Sequence, residues 1–118
     1  MHAQLALLLE LQDLHTQKRS LNEEDLAEVE TEMFDIDITA AMSALEEKLV
    51  ELEERLDPQV RDRYRDLVRA VQRAVVPVLS GICYGCFVAV PTAHASAAKR
   101  NESLGVCAHC GRFLYFVD

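Results

Sequence analysis

The chain has 118 residues, 50% hydrophobic and 6% aromatic, with no Trp, four Gly and three Pro; this composition suits long helices more than an all-β core. The length allows one ordinary domain or two small ones that each need a staple, and no stretch reaches the roughly 20 apolar residues of a membrane span. The formal net charge of −8 is split unevenly, with 16 Asp/Glu against 4 Lys/Arg in residues 1–57 and 4 against 8 in residues 58–118, so the first half would repel a nucleic-acid backbone.

Residues 1–57 read as helix. Leu7, Leu11 and Leu14 are spaced +4 and +3, and the series extends through Lys18 to Leu21. Leu26, Val29, Met33 and Ile36 continue it, followed by Ile38, Ala41, Leu45, Leu49, Leu52 and Leu56. Narrow apolar seams with acidic flanks (Glu46, Glu47, Glu51, Glu53, Glu54) are the pattern of a coiled coil. The register slips twice, and one slip should be a hairpin turn. Ser20-Leu21-Asn22-Glu23 matches a capping box. Phe34-Asp35-Ile36-Asp37 alternates poorly for a helix, and a turn there gives arms of more equal length. The later turn is therefore expected, with Asp35 and Asp37 at the tip.

Asp57-Pro58 starts a further helix, Asp as N-cap and Pro in the first turn. It should run to about Val75, with Val60, Tyr64, Leu67, Val71 and Val75 on its apolar face. Arg61, Arg63, Arg65, Arg69 and Arg73 should pair mainly with the acidic arm. Val75 to Leu79 contains Pro77 and reads as an edge strand. Phe87–Val90 and Phe113–Val117 read as further strands, and Pro91–Arg100 as one or two helical turns ended by Asn101.

The four cysteines fall as Cys83-Tyr84-Gly85-Cys86 and Cys107-Ala108-His109-Cys110. Two CxxC turns at this spacing offer the four soft ligands of a single structural zinc in a zinc ribbon. Iron, two disulfides or a redox pair would use the same residues. The start of the chain lacks the cationic region of a secretory signal, which favours a cytoplasmic protein and metal over disulfides. His94 and His109 are spare ligands that should lie on the surface. Gly85 and Gly111 should support the knuckles by removing a crowding Cβ. Residues 76–118 are too few to fold around their own apolar cluster, which includes Phe87, Phe113 and Tyr115, so metal binding should supply folding free energy. The expected layout is an acidic helical hairpin over 1–57, a connecting helix over 58–75 and a four-cysteine zinc ribbon over 76–118. The fold class is mainly α with a small β ribbon.

Gly81-Ile82-Cys83-Tyr84-Gly85-Cys86-Phe87, Pro91 and Val106-Cys107-Ala108-His109-Cys110-Gly111-Arg112-Phe113-Leu114-Tyr115 resemble the ribbon of the bacterial C4-type zinc-ribbon proteins. Leu8 to Leu14 and Asp57-Pro58 with Tyr64-Arg65 are similar to the segments that precede it. His15 stands where that family usually has an acidic residue, Ala108-His109 replaces Pro-Asn, and family members are commonly about twice as long. The resemblance implies a coiled-coil hairpin carrying a zinc ribbon. It also implies a binding role, with sigma-54, flagellar or secretion genes and messenger RNA among the associations of relatives.

The first functional expectation is a non-enzymatic adaptor or regulator that binds a protein partner in transcription or RNA handling. Candidate contacts are Lys99, Arg100 and Arg112 on the head and Asp35 and Asp37 at the tip. For Arg112 a purely structural role, bonding the ribbon backbone, is an equal alternative. A second expectation is an RNA polymerase secondary-channel regulator with an acidic tip. A third is nucleic-acid binding through Tyr84, Phe87 and Tyr115, although these rings read first as core. Narrow seams could also close a homodimer. No catalytic set, phosphate loop or open metal site can be read, so an enzyme is the least supported class.

Overall fold

The computed structural model describes the backbone of residues 1–23, 32–91 and 101–117, and side chains over 1–21, 39–91 and 101–117. Three helices, α1 (Ala3–Glu23), α2 (Glu32–Glu54) and α3 (Pro58–Ala70), precede the strands β1 (Val75–Leu79), β2 (Ile82–Cys83), β3 (Gly105–Val106) and β4 (Phe113–Phe116).

The N-terminus of α1 is capped by His2, whose Nδ1 accepts from Gln4 N–H at 3.0 Å. Leu5, Leu8 and Leu11 are fully buried against Leu49, Leu52 and Leu56. The buried row of α1 thus begins two residues before the expected seam, while Leu7 and Leu14 flank it. The helices run in opposite directions. Asp57 N–H donates to Gln4 Oε1 at 2.8 Å at one end, and Lys18 pairs with Glu46 at 3.5 Å further along.

The favoured turn at Phe34 to Asp37 does not occur there, and the earlier alternative, near residues 20–25, lies partly outside the described residues. Ser20 to Glu23 continue α1 instead of starting a helix, and Phe34 to Asp37 lie within α2. Asp35 and Asp37 are therefore helical positions, and alternation of apolar and acidic residues over four positions did not stop the helix. Leu26 and Val29 lie outside the described residues.

α3 begins as expected at Pro58, but Asp57 makes no side-chain cap bond; its carbonyl accepts from Arg61 N–H at 2.8 Å. The helix ends at Ala70, five residues short of the expected limit, because Val71 is already extended at φ −136°. Arg73 and Val75 are consequently not helical. The arginines also depart from expectation. Arg65 pairs with Glu53 on α2, but Arg69 pairs with Asp66 of its own helix, and Arg63 donates to the Gly111 carbonyl.

The sheet order is β2-β1-β4-β3, with β1 and β4 parallel and the outer pairs antiparallel. β1 is an interior strand, not the expected edge. Pro77 is tolerated because its nitrogen faces the β2 side, where β2 has only two residues and ends before reaching it. Pro77 still accepts, from Tyr84 N–H at 3.0 Å. Phe87–Val90 is not a strand; only Ala89 bridges, to Ile82.

Side chains alternate across the sheet. On one face Val75 and Phe113 join the helical core with Leu5, Leu8, Leu52 and Tyr64. On the other, Val76, Val78, Leu114 and Phe116 pack with Cys83 and Cys107. The sheet is thus a partition with helices on one side and the cysteines on the other.

Candidate metal centre

Cys83 at the end of β2, Cys86 just after it, and Cys107 and Cys110 between β3 and β4 converge, and their Sγ atoms all lie within 4.8 Å of one another. Cys83 Sγ is 3.8 Å from Cys110 Sγ, and Cys86 Sγ is 3.7 Å from Cys107 Sγ. A tetrahedron of sulfurs around zinc at about 2.3 Å has edges of about 3.8 Å. The spacing therefore fits one metal ion, and it is far outside the roughly 2 Å of a disulfide bond. Cys83 and Cys107 are buried, and Cys86 and Cys110 partly so.

The two knuckles repeat one another. Phe87 N–H donates to the Cys83 carbonyl at 2.6 Å, and Gly111 N–H to the Cys107 carbonyl at 2.9 Å. Cys83 N–H donates to Val88 O and Cys107 N–H to Arg112 O, at 3.0 and 2.8 Å. Backbone N–H groups of Gly85 and Cys86 reach Cys83, that of Val88 reaches Cys86, those of His109 and Cys110 reach Cys107, and that of Arg112 reaches Cys110. Such donors stabilise thiolate over thiol and spread the negative charge that four sulfurs would leave on a divalent cation.

In the bare protein, burial foremost pushes the Cys83, Cys86 and Cys110 thiols up, and the N–H groups work against it. Burial raises Cys107 too, but donors from Cys110 and His109 prevail and bring it down to about 7. These donors favour the thiolate at Cys107, and the charge of a bound cation would bring down the others.

The glycines divide the work differently from expectation. Gly111 has φ +78°, the left-handed conformation that a side chain disfavours. Its counterpart in the first knuckle is Phe87, at φ +60°, not Gly85. Gly85 serves a close approach instead. A Cβ there would lie 2.6 Å from Arg112 Nη1 and 2.9 Å from its Cδ. Arg112 thus lays its side chain from the second knuckle across the first. Its Nε is buried without a hydrogen-bond partner.

The fold gathers the four cysteines with Gly85, Gly111 and Arg112 at one end of the sheet. His109 is exposed in the second knuckle. Asp35 and Asp37 lie on α2, remote in sequence from the cysteines, and their side chains are outside the described residues; so are Lys99, Arg100 and His94. Tyr115 is partly buried against the helical core, but Phe87 and Tyr84 are 69% and 46% exposed, contrary to the expectation that they are core. Only their place inside and directly after a CxxC turn, where little core is within reach, could have signalled that.

The chain matches no protein-family model and no curated protein. It is similar to the solved structure of CT398 from Chlamydia trachomatis, at 26% identity and a TM-score of 0.57. The match covers 86% of this chain and 44% of CT398, so the chain spans less than half the length of that protein. No helix among the described residues is long and apolar enough to cross a membrane.

Proposed function

We propose that this protein is a cytoplasmic, non-enzymatic adaptor in which a coiled-coil hairpin, α1 with α2, carries a zinc-ribbon head. The observation that carries this reading is the sulfur cluster. Four thiolates complete the tetrahedral shell of zinc and leave no position for a reacting water, so the ion serves as scaffold. The sheet borders that cluster on one face and the helical core on the other, so the metal would hold the head rigid on its arm. A protein partner, in transcription or RNA handling, is the binding target suggested by the resemblance of the ribbon. For the polymerase-channel alternative, Asp35 and Asp37 lie in the first two turns of α2, and their side chains are outside the described residues.

Metal analysis of the purified chain tests the scaffold: one zinc per chain and no visible thiolate-to-iron absorption are expected. Cys107→Ser should lose the zinc and the ordered tyrosine signal of the head, while much of the helical circular dichroism remains. A fully metallated, folded Cys107→Ser chain would overturn the structural role. Affinity capture from the native host, wild type beside Cys107→Ser, tests the adaptor. Its partner should be retained by the former and lost by the latter.

A further inference from the structure

The two knuckles share their backbone but not what they present to solvent. At the left-handed position after the last cysteine, the second knuckle has Gly111 at φ +78° and the first has Phe87 at φ +60°. A bulky residue with positive φ is an outlier, and glycine would be the relaxed choice. The strain is not balanced by burial, because Phe87 is 69% exposed. Strain retained at an exposed aromatic points to use of that side chain.

Phe87 is not isolated. Its ring lies 5.6 Å from that of Tyr84, tilted by 57°. Tyr84 and Val88 are also exposed. Val88 continues into a cleft of about 120 Å³ between the knuckles, lined by Val90, Pro91, Val106, Ala108 and His109 among others. That volume is below the roughly 300 Å³ of small-molecule sites, and it leaves room for one aliphatic side chain. Among the described residues, the cations at the knuckles are Arg112, lying across Gly85, and Arg63, bonded to the Gly111 carbonyl.

We infer that Tyr84, Phe87, Val88 and the adjoining cleft dock an extended peptide segment of a partner protein, one that presents an apolar side chain flanked by Asp or Glu. The cleft takes the apolar side chain, the tilted rings cover it, and Arg112 and Arg63 meet the acidic flank. Aromatic and arginine side chains are the residue types that anchor such contacts. A single-stranded nucleic acid fits less well. Its bases need open ring faces, but here the rings tilt against each other. The inference rests on the adaptor reading and locates its binding surface.

The test pans a random-peptide display library against the zinc-loaded full chain and measures enriched peptides by fluorescence anisotropy. Enriched sequences should share an apolar residue beside Asp or Glu. Phe87→Gly should weaken their binding by about tenfold or more, with zinc content kept and the melting temperature unchanged or raised, because the strained position is relaxed. Tyr84→Ala should weaken binding similarly, which guards against an effect of the glycine itself. Peptides that bind wild type and Phe87→Gly equally would overturn this surface but leave an adaptor standing. No enrichment, with tight salt-dependent binding of oligo(dT) or oligo(U) lost in Phe87→Gly, would overturn both in favour of nucleic acid. A wild-type dimer in sedimentation that becomes monomeric in Phe87→Gly would overturn the peptide reading and assign the surface to a second copy of the chain. A melting temperature sharply lowered in Phe87→Gly would make Phe87 structural and overturn the inference.

Discussion

The side chain of Gln12 on α1 takes the place of a missing strand beside Val75. Its Nε2 donates to the Val75 carbonyl at 3.0 Å, and its Oε1 accepts from Val75 N–H at 2.8 Å. Val75 is the residue whose backbone faces away from β4, on the side that two-residue β2 never reaches. Asn101 does the same at the other flank. It donates to Phe116 O at 2.8 Å and accepts from Phe116 N–H at 2.9 Å, where β3 has run out. Two carboxamides thus complete a sheet whose outer strands are too short.

Replacing Gln12 should therefore loosen the joint between arm and head. Gln12→Leu keeps the bulk but strands both Val75 groups, at a cost of about 1–3 kcal/mol. Urea denaturation of the zinc-loaded chain should show a lower midpoint with an unchanged slope. A loss below about 0.5 kcal/mol would mean that water serves Val75 as well as Gln12 does.

Tyr64 gives a prediction of opposite sign. Its ring is buried in the helical core, 6.1 Å from that of His15, and its hydroxyl is buried without a partner. Burial foremost, and then Glu53, raises the phenol well above its ordinary value. Tyr64→Phe removes an unsatisfied polar atom and keeps the packing. Stability should be unchanged or rise by up to about 1 kcal/mol. A clear loss in thermal denaturation would reveal a hydrogen bond at the hydroxyl.

His15 sets an acid limb. Burial foremost, with the Lys18 and Arg19 cations, holds its imidazole below the ordinary 6.5, and Glu53 opposes them. The unfolded chain takes up a proton at 6.5 while the folded chain still resists, so the unfolded state binds more protons there. The stabilisation is complete above pH 6.5 and declines as pH falls below it, until the folded imidazole itself protonates. His15→Gln should flatten that decline, read as the difference between the two melting-temperature profiles. Parallel profiles across the window would count against the assignment.

What the sequence disclosed follows from how local each signal is. The cysteine spacing is short-range, and the four cysteines come together as it implied. The helix content also followed from the leucine spacing. Long-range pairing did not. Pro77 suggested an edge strand, because nothing local reveals that β2 stops before one of its carbonyls would need the N–H that Pro77 lacks. The end of α3 at Ala70 was hidden because Val71 and Val75 continue the helical spacing while being recruited, extended, toward the sheet. Gly85 and Gly111 looked equivalent, but one answers to backbone conformation and the other to an arginine 27 positions along the chain.

That last distinction can be measured. In Gly85→Ala the new Cβ would sit 2.6 Å from Arg112 Nη1, and 3.2 Å from Val76 Cγ1 in the core beside the cysteines. The arginine is flexible and can swing away, but Val76 is buried and can yield little. Overpacking of this kind costs about 1–3 kcal/mol. Most of the cost should vanish in the Arg112→Ala background if the guanidinium is the obstacle, and persist there if Val76 is. A double-mutant cycle by zinc-loaded thermal denaturation separates the two, with a coupling above about 0.5 kcal/mol expected for residues in contact. Gly111→Ala offers the contrast. Its φ of +78° is strained for alanine whatever stands nearby, so its cost should be the same with or without Arg112.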